Sequence, residues 1–304
     1  MSTGERIEIA GLTKRFGAVV AVENLDFTVE PGRVTGFLGP NGAGKTTTLR
    51  MLLGLVTATT GRATIGGRDY RDLPQPMSTV GASLEAAFHP GRSGRAHLAV
   101  VASAAGIPRT RVPAVLELTG MAPYADRRVG GYSLGMRQRL GLATALLGDP
   151  GVLVLDEPIN GLDPEGIRWI RSFLRALADE GRTILVSSHL LSEVQQTVDD
   201  VVVIAGGRLR FTGSLADLEG STVAGSVVDA PNREALGAAL TAAGASPRRA
   251  PDGLVVDLPP VEVGRIALEA GVALSALAAK GTGLEDEFLA LVADPERAAE
   301  GGAR

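Results

Sequence analysis

Cysteine is absent from this chain of 304 residues. Without thiols the protein forms neither disulfide bonds nor thiolate zinc sites, and the absence is typical of a reducing compartment. Apolar runs such as 98–107 and 152–155 fall short of the roughly 18 residues that a membrane-spanning helix needs. The N-terminus, MSTGER, lacks the basic and apolar segments of a secretory signal. We therefore expect a soluble, cytoplasmic protein that reaches a membrane only through a partner.

A strong excess of either charge is also missing. The chain has 30 Lys and Arg against 34 Asp and Glu, for a net charge of −4. Nucleic-acid surfaces are usually recognised by a basic excess or by runs of like charge, so we expect no nucleic-acid partner. The length leaves room for one large domain and one smaller domain.

Predicted strands alternate with predicted helices through most of the chain. Residues 6–9 and 25–29 alternate apolar with polar side chains, as half-buried antiparallel strands do. Compact apolar runs, typical of buried strands, occur at 34–38, 152–155, 183–187 and 201–205. Helices are predicted at 45–53, through most of 94–147, at 165–180 and at 190–198. This alternation predicts an α/β fold with a largely parallel sheet covered on both faces.

The pattern changes after about residue 220. Six segments alternate between strand and helix character, at 222–229, 232–244, 246–258, 261–271, 273–279 and 284–292. Turn residues at 250–253 split the third segment into a hairpin. We therefore predict a small α+β domain over 221–293, a βαββαβ sandwich of ferredoxin-like type with a closing helix, and no fixed structure for 294–304.

A glycine-rich segment joins a predicted strand to a predicted helix. It reads Gly39-Pro40-Asn41-Gly42-Ala43-Gly44-Lys45-Thr46 and matches the P-loop pattern G-x-x-x-x-G-K-[ST]. In this motif backbone N–H groups surround phosphate oxygens, the lysine reaches the β- and γ-phosphates, and the hydroxyl ligates Mg²⁺. The alternative is an ordinary glycine turn, which the strand and helix on either side argue against.

Two further segments offer groups for nucleotide chemistry. The strand 152–155 ends in Asp156 and Glu157, which suit a Mg²⁺ ligand and a general base. Taken alone this would be a plain strand exit, but the P-loop favours function. Ser133, in Tyr132-Ser133-Leu134-Gly135-Met136, can cap a helix whose N-terminus attracts anions. By itself such a cap is more often only structural.

In this order the motifs resemble the nucleotide-binding domain of ABC transporters over residues 5–218. They are Phe16-Gly17, the P-loop, Ser133 to Arg139, Leu155-Asp156-Glu157-Pro158, Gly161-Leu162-Asp163 and Ser188-His189. Within the family the chain looks most like bacterial drug- and bacitracin-resistance exporters, the daunorubicin type included. The resemblance implies a P-loop NTPase core with an antiparallel β subdomain, a helical subdomain near 86–147, and ATP and Mg²⁺ as cofactors.

The resemblance also assigns roles to single residues. Phe16 would stack on adenine, although a buried core aromatic is the alternative, and Thr47 would join the P-loop in binding nucleotide. Ser133 and Gly135 would bind the γ-phosphate of ATP held by a second subunit, and Asp163 would link the two sites. His189 would contact the γ-phosphate and position the attacking water.

Two positions depart from the family pattern. The usual Leu-Ser-Gly-Gly-Gln has Leu134 and Met136 in place of its first Gly and its Gln. The loop that should supply a Mg²⁺-contacting Gln instead offers Glu85, which we expect to stand in for it. The alternative for Glu85 is a surface carboxylate.

These observations predict an ATPase subunit on the inner face of the cell membrane. It would dimerise on ATP, as a homodimer, and drive a separate permease that exports a drug, an antibiotic or a lipid-like cargo. The permease would dock on the helical region 86–147, and 89–95 is either part of that contact or a solvated loop. The rival is an ABC ATPase acting on ribosomes or DNA, but such relatives usually carry two cassettes, a long coiled coil or zinc-binding cysteines. A small-molecule P-loop kinase does not account for Ser133, Gly135 and His189.

Overall fold

The computed structural model describes residues 3–84, 88–220, 225–280 and 284–293. Its strands are β1 (Ile7–Phe16), β2 (Val19–Val29), β3 (Val34–Leu38), β4 (Thr60–Ile65), β5 (Val80–Ser83), β6 (Val152–Leu155), β7 (Thr183–Ser188), β8 (Asp200–Ala205), β9 (Arg208–Ser214), β10 (Gly225–Asp229), β11 (Arg248–Ala250), β12 (Gly253–Val256) and β13 (Ala276–Lys280). Its α-helices are α1 (Lys45–Leu52), α2 (Pro76–Thr79), α3 (Gly94–Ala104), α4 (Arg111–Leu118), α5 (Leu134–Ala145), α6 (Pro164–Asp179), α7 (Leu191–Val194), α8 (Leu215–Gly220), α9 (Arg233–Ala242), α10 (Pro260–Glu269) and α11 (Leu284–Ala293). In this part of the chain no helix has both the length and the apolar character to cross a bilayer.

The central sheet has six strands in the order β5-β6-β7-β3-β8-β9. All neighbours pair in parallel except β8 and β9. Every residue of β3, β6 and β7 is buried, as in parallel sheets covered on both faces. The predicted α/β core is confirmed. Because parallel strands end at the same edge of a sheet, the segments that follow β3, β6 and β7 are brought together there.

A separate antiparallel sheet of three strands, in the order β2-β1-β4, forms the β subdomain. Its first two strands span 10 and 11 residues, longer than the predicted 6–9 and 25–29. The pairing of β1 with β2 shifts register between Ile9 and Leu12, beside Gly11 with φ 55°. Such an irregularity interrupts the alternation that sequence analysis relies on without ending the strand.

Between β5 and β6, the described residues include the α-helices α3, α4 and α5, which form the helical region. α3 and α5 begin with serine caps, in which Ser93 accepts from Ala96 N and Ser133 accepts from Met136 N. After β7, the predicted helix 190–198 is too long, because α7 ends at Val194. The Arg171 guanidinium donates to the Ser192 and Glu193 carbonyls, which supplies partners outside the helix for α7 carbonyl groups.

The chain divides into two compact units, one made of Met1–Leu215 together with the segment from Leu291 onward, and a second that spans Ala216–Ala290. The second unit carries an antiparallel sheet of four strands in the order β11-β12-β10-β13. Between α8 and α11, its elements follow one another as β10, α9, β11, β12, α10 and β13. Apolar side chains from the sheet and from α9 and α10 form its core: Val228, Leu236, Leu240, Leu254, Val256 and Val263.

Removal of residues 221–304 is expected to leave a folded, ATP-binding protein. The second unit has its own apolar core, and every nucleotide motif precedes it in sequence. We expect ATP affinity to change by less than about tenfold, or 1.4 kcal/mol. Nucleotide titration and thermal unfolding of the shortened chain measure this. An insoluble product without ATP binding would show that the C-terminal part belongs to the main fold.

Candidate functional site

The loop between β3 and α1 is shaped by its glycines. Gly42 and Gly44 have φ of 82° and 104°, values that disfavour residues with a Cβ. Lys45 is only 6% exposed, and its ammonium group donates to the carbonyls of Gly39 and Pro40 at 2.6 and 3.4 Å. A phosphate is a stronger partner for an ammonium group than a carbonyl. The Lys45 ammonium group can therefore exchange its contacts with these carbonyls for a contact with a bound phosphate, without leaving the loop.

Thr46 and Asp156 place oxygen atoms beside this loop. The Thr46 hydroxyl donates to Asp156 Oδ2 at 2.7 Å, and the Ser187 hydroxyl donates to Asp156 Oδ1. The Asp156 N–H donates to the Ser83 carbonyl at 2.8 Å. A hydroxyl and a carboxylate are hard oxygen donors, which Mg²⁺ prefers. The residues present therefore fit a magnesium ion held next to the phosphates.

Glu157 lies between the P-loop lysine and the histidine that follows β7. Its Oε1 is 3.5 Å from Lys45 Nζ and its Oε2 is 2.9 Å from His189 Nδ1. Its backbone is left-handed, with φ 48°, and its N–H donates to Ser187 Oγ at 2.9 Å. Such a conformation in a residue other than glycine costs energy and is common at functional sites. The strained turn directs this carboxylate toward the P-loop.

A second set of possible ligand atoms lies beside the first. Glu157, His189 and Glu193 each offer one atom within 4.8 Å of the others. However, the Lys45 ammonium group already supplies positive charge to Glu157, and the Ser188 hydroxyl donates to Glu193 at 2.6 Å. The oxygen pair of Thr46 and Asp156 therefore fits Mg²⁺ better than this set does.

The predicted phosphate-binding serine lies at a different place. Ser133 and Asp163 cap α5 and α6, the latter by accepting from Gly166 N at 2.8 Å. Both caps line one cavity of about 580 Å³. Within the described chain, no P-loop residue lines this cavity. A phosphate bound here would therefore be separate from one bound at the chain's own P-loop.

The segment before Ser133 is held by a buried tyrosine. The Tyr132 hydroxyl donates to the Tyr124 carbonyl at 2.7 Å. Burial raises the pKa of Tyr132, so the hydroxyl keeps its proton and this hydrogen bond. This hydrogen bond fixes the start of α5 against the segment that follows α4.

Two other predicted residues have different outcomes. Phe16 is 51% exposed, so the alternative of a buried core aromatic is wrong. The exposed ring surface is accessible for stacking on an aromatic base. The Lys14 ammonium group lies 4.8 Å from the Phe16 ring centroid. Glu85 falls outside the described residues, and its role at the metal stays a prediction.

Sequence analysis missed Ser187 and Glu193. Ser187 bonds both Asp156 and the Glu157 backbone, and Glu193 holds the serine that precedes His189. One signal was available, because Ser187 and Ser188 are buried polar residues that end an apolar strand. The groups that Ser187 contacts lie after the neighbouring strand β6. Which strands are neighbours cannot be predicted from the sequence of one strand.

Comparison with known proteins shows which family the chain resembles. Residues 22–160 match the family model described as ABC transporter. The chain is 43% identical over 207 residues to the bacitracin transport ATP-binding protein BcrA of Bacillus licheniformis. The aligned residues cover 67% of this chain and 68% of BcrA. It is 36% identical over 205 residues to the lantibiotic transport ATP-binding protein SrtF of Streptococcus pyogenes, covering 67% of this chain and 88% of SrtF. A solved ATP-binding subunit of an ABC transporter superposes with a TM-score of 0.64 at 27% identity, over 70% of this chain and 92% of that one.

Proposed function

The chain belongs to the ABC transporter family as an ATP-binding subunit that hydrolyses ATP, and from this premise we propose that two copies enclose ATP between them and drive a separate export permease. One observation carries the proposal. Lys45, Thr46, Asp156, Glu157 and His189 converge at one sheet edge, while the caps of α5 and α6 line another cavity.

The chemistry follows from this first cluster. Thr46 and Asp156, together with Glu85, would hold Mg²⁺, which when bound neutralises phosphate charge. Glu157 accepts a proton from water as the water oxygen bonds to the γ-phosphorus. The bond from that phosphorus to the bridging oxygen breaks, and ADP and phosphate leave. His189 orients the water and contacts the γ-phosphate.

The second cluster requires another chain. The N-termini of α5 and α6 carry partial positive charge and favour a bound phosphate. Because the chain's own P-loop does not line their cavity, the phosphate would come from ATP held by a second copy. Each site then combines the P-loop of one subunit with Ser133 and Gly135 of the other, and Asp163 lies where the two sites communicate.

We assign permease docking to a groove of about 970 Å³. Its walls come from 74–78, from most residues of 100–111 and from 147–149, so part of it lies within the predicted docking region 86–147. Val100 on this groove is 48% exposed, and Ala104 beside it is also exposed. An apolar groove with exposed aliphatic side chains suits an amphipathic segment of a partner. A cytoplasmic segment of the permease would fill it.

The proposed cargo follows from two relatives of the chain. The names of BcrA and SrtF refer to bacitracin and lantibiotic transport. We propose an antibiotic or another drug-like or lipid-like molecule as cargo, with export as the direction. The chain would then work on the inner face of the cell membrane.

Membrane recruitment tests the proposed partner. Val100→Glu and Ala104→Glu place charge in the groove and are expected to lower recovery of the chain with membranes that contain its permease by about tenfold or more. ATP binding should persist, because the P-loop is unchanged. The matched control is Val261→Glu at a side chain that is 87% exposed in the second unit.

The same fractionation separates the rival function. Groove variants that remain on permease-containing membranes would reject the groove as the docking site. Recovery of the wild-type chain with ribosomes or DNA rather than membranes would favour the other class of ABC ATPase.

A further inference from the structure

Leu134, one of the residues that depart from the family pattern, contacts another loop of the same chain. Leu134 follows the cap of α5 and is 51% exposed. Its Cδ2 occupies the space in which a Cβ on Gly161 would lie. Gly161 has φ 73°, which independently favours glycine. Leu134 can therefore keep this position only because residue 161 has no side chain.

The contact is reciprocal. Leu162 directs its Cδ2 to 3.3 Å from the Cβ position of Gly135. Each leucine thus lies over the glycine of the other segment. The two segments interlock where they carry the caps Ser133 and Asp163.

A second contact joins the same helices further along. The Arg139 guanidinium carbon on α5 lies 4.1 Å from the ring centroid of Trp169 on α6, a cation–π arrangement. The Arg139 Nη1 also donates to the Thr119 carbonyl at 3.3 Å. Trp169 stacks on Phe173 with ring centroids 5.2 Å apart. The two helices are therefore connected beyond their N-termini as well.

Leu134 also borders the hydrolytic cluster. It lines a cavity of about 200 Å³ together with Asp156, Glu157 and Asn160. The residue whose side chain touches the loop before α6 thus also lines a cavity that it shares with Asp156 and Glu157. A glycine at position 134, as in the usual family pattern, would leave both sides without this contact.

We propose that Leu134 is a positioning residue that locks the start of α5 to the segment Gly161–Asp163 of its own chain. Ser133 and Asp163 then meet the partner's nucleotide as one preorganised surface. Preorganisation lowers the entropy lost when the two chains close. The inference rests on the proposed function, since it presumes that Ser133 acts on ATP held by a second copy.

Leu134→Ala is expected to lower ATP turnover at saturating ATP by about 10- to 10²-fold, the size expected when reacting groups are misplaced. The chain's own P-loop is unchanged, so ATP affinity of the isolated subunit should stay at the wild-type value. Leu134→Met keeps an apolar side chain of similar volume and should restore most of the turnover. The matched control is Leu55→Ala, at a leucine that is 67% exposed.

A double-mutant cycle isolates the interlock. Gly161→Ala by itself should also lower turnover relative to wild type. The new methyl group overlaps Leu134, and the left-handed φ strains any Cβ. If the overlap matters, Leu134→Ala should recover part of the Gly161→Ala loss, by at least about threefold relative to additive effects. Gly181→Ala is the backbone control, since its φ is 89° and no atom lies within 4 Å of its Cβ position.

ATP-dependent dimerisation separates this inference from the proposed function. In a Glu157→Gln background, size-exclusion chromatography should require about tenfold more ATP to form half of the dimer once Leu134→Ala is added. No ATP-dependent dimer in the parent would reject the shared site itself. A normal dimer with Leu134→Ala indistinguishable from Leu55→Ala would overturn the role of Leu134. Should Gly161→Ala not fold, the comparison of Leu134→Ala with Leu134→Met decides the question.

Discussion

Replacing Glu157 by glutamine is expected to lower ATP turnover by roughly 10²–10⁴-fold, the usual contribution of a general base. An amide keeps the shape of the side chain but carries no negative charge and cannot accept a proton from water. Lys45 and Thr46 are unchanged, so ATP binding should survive. Because bound ATP would persist between the subunits, the variant should accumulate as an ATP-bound dimer.

Phosphate release and nucleotide titration of the same preparation measure both effects. The control is Glu262→Gln, which also exchanges a carboxylate for an amide, on the exposed face of α10. It should hydrolyse ATP at the wild-type rate. Turnover of Glu157→Gln within about threefold of wild type would remove Glu157 from the role of base.

The hydrolytic cluster was predictable because its residues sit at the ends of buried strands. Polar or glycine residues that follow buried strands, namely Gly39, Asp156 and His189, indicate chemistry at one edge of a parallel sheet, and the structure brings these segments together. This prediction does not depend on the exact order of the strands. Any parallel arrangement places those ends on the same side.

The contacts between those segments were not predictable. Ser187 forms hydrogen bonds with Asp156 and Glu157, the two residues that follow β6, and these partners follow from the pairing of β6 with β7. The contact of Leu134 with Gly161 depends on a left-handed backbone in a loop. Local secondary-structure propensity predicts neither contact, because each forms between residues that are distant in the chain. The sequence alone also left Phe16 open between core and surface, which its exposed position at the end of β1 decides.

Two inactive variants are expected to restore activity when they are mixed. Lys45→Ala removes the ammonium group that binds phosphate, and Ser133→Arg fills the cavity at the start of α5. If each site takes its P-loop from one chain and its serine from the other, a heterodimer keeps one intact site. That site combines the P-loop of the Ser133→Arg chain with Ser133 of the Lys45→Ala chain.

Phosphate release by an equal mixture of the two variants tests the shared site most directly. Random pairing makes about half of the dimers heterodimers with one of two sites intact, so about a quarter of wild-type turnover should return. As a control, the double variant mixed with Lys45→Ala has no intact P-loop and should stay inactive. Recovery in the first mixture alone is the result that a dimer with composite sites predicts. A mixture no more active than either variant by itself would contradict it.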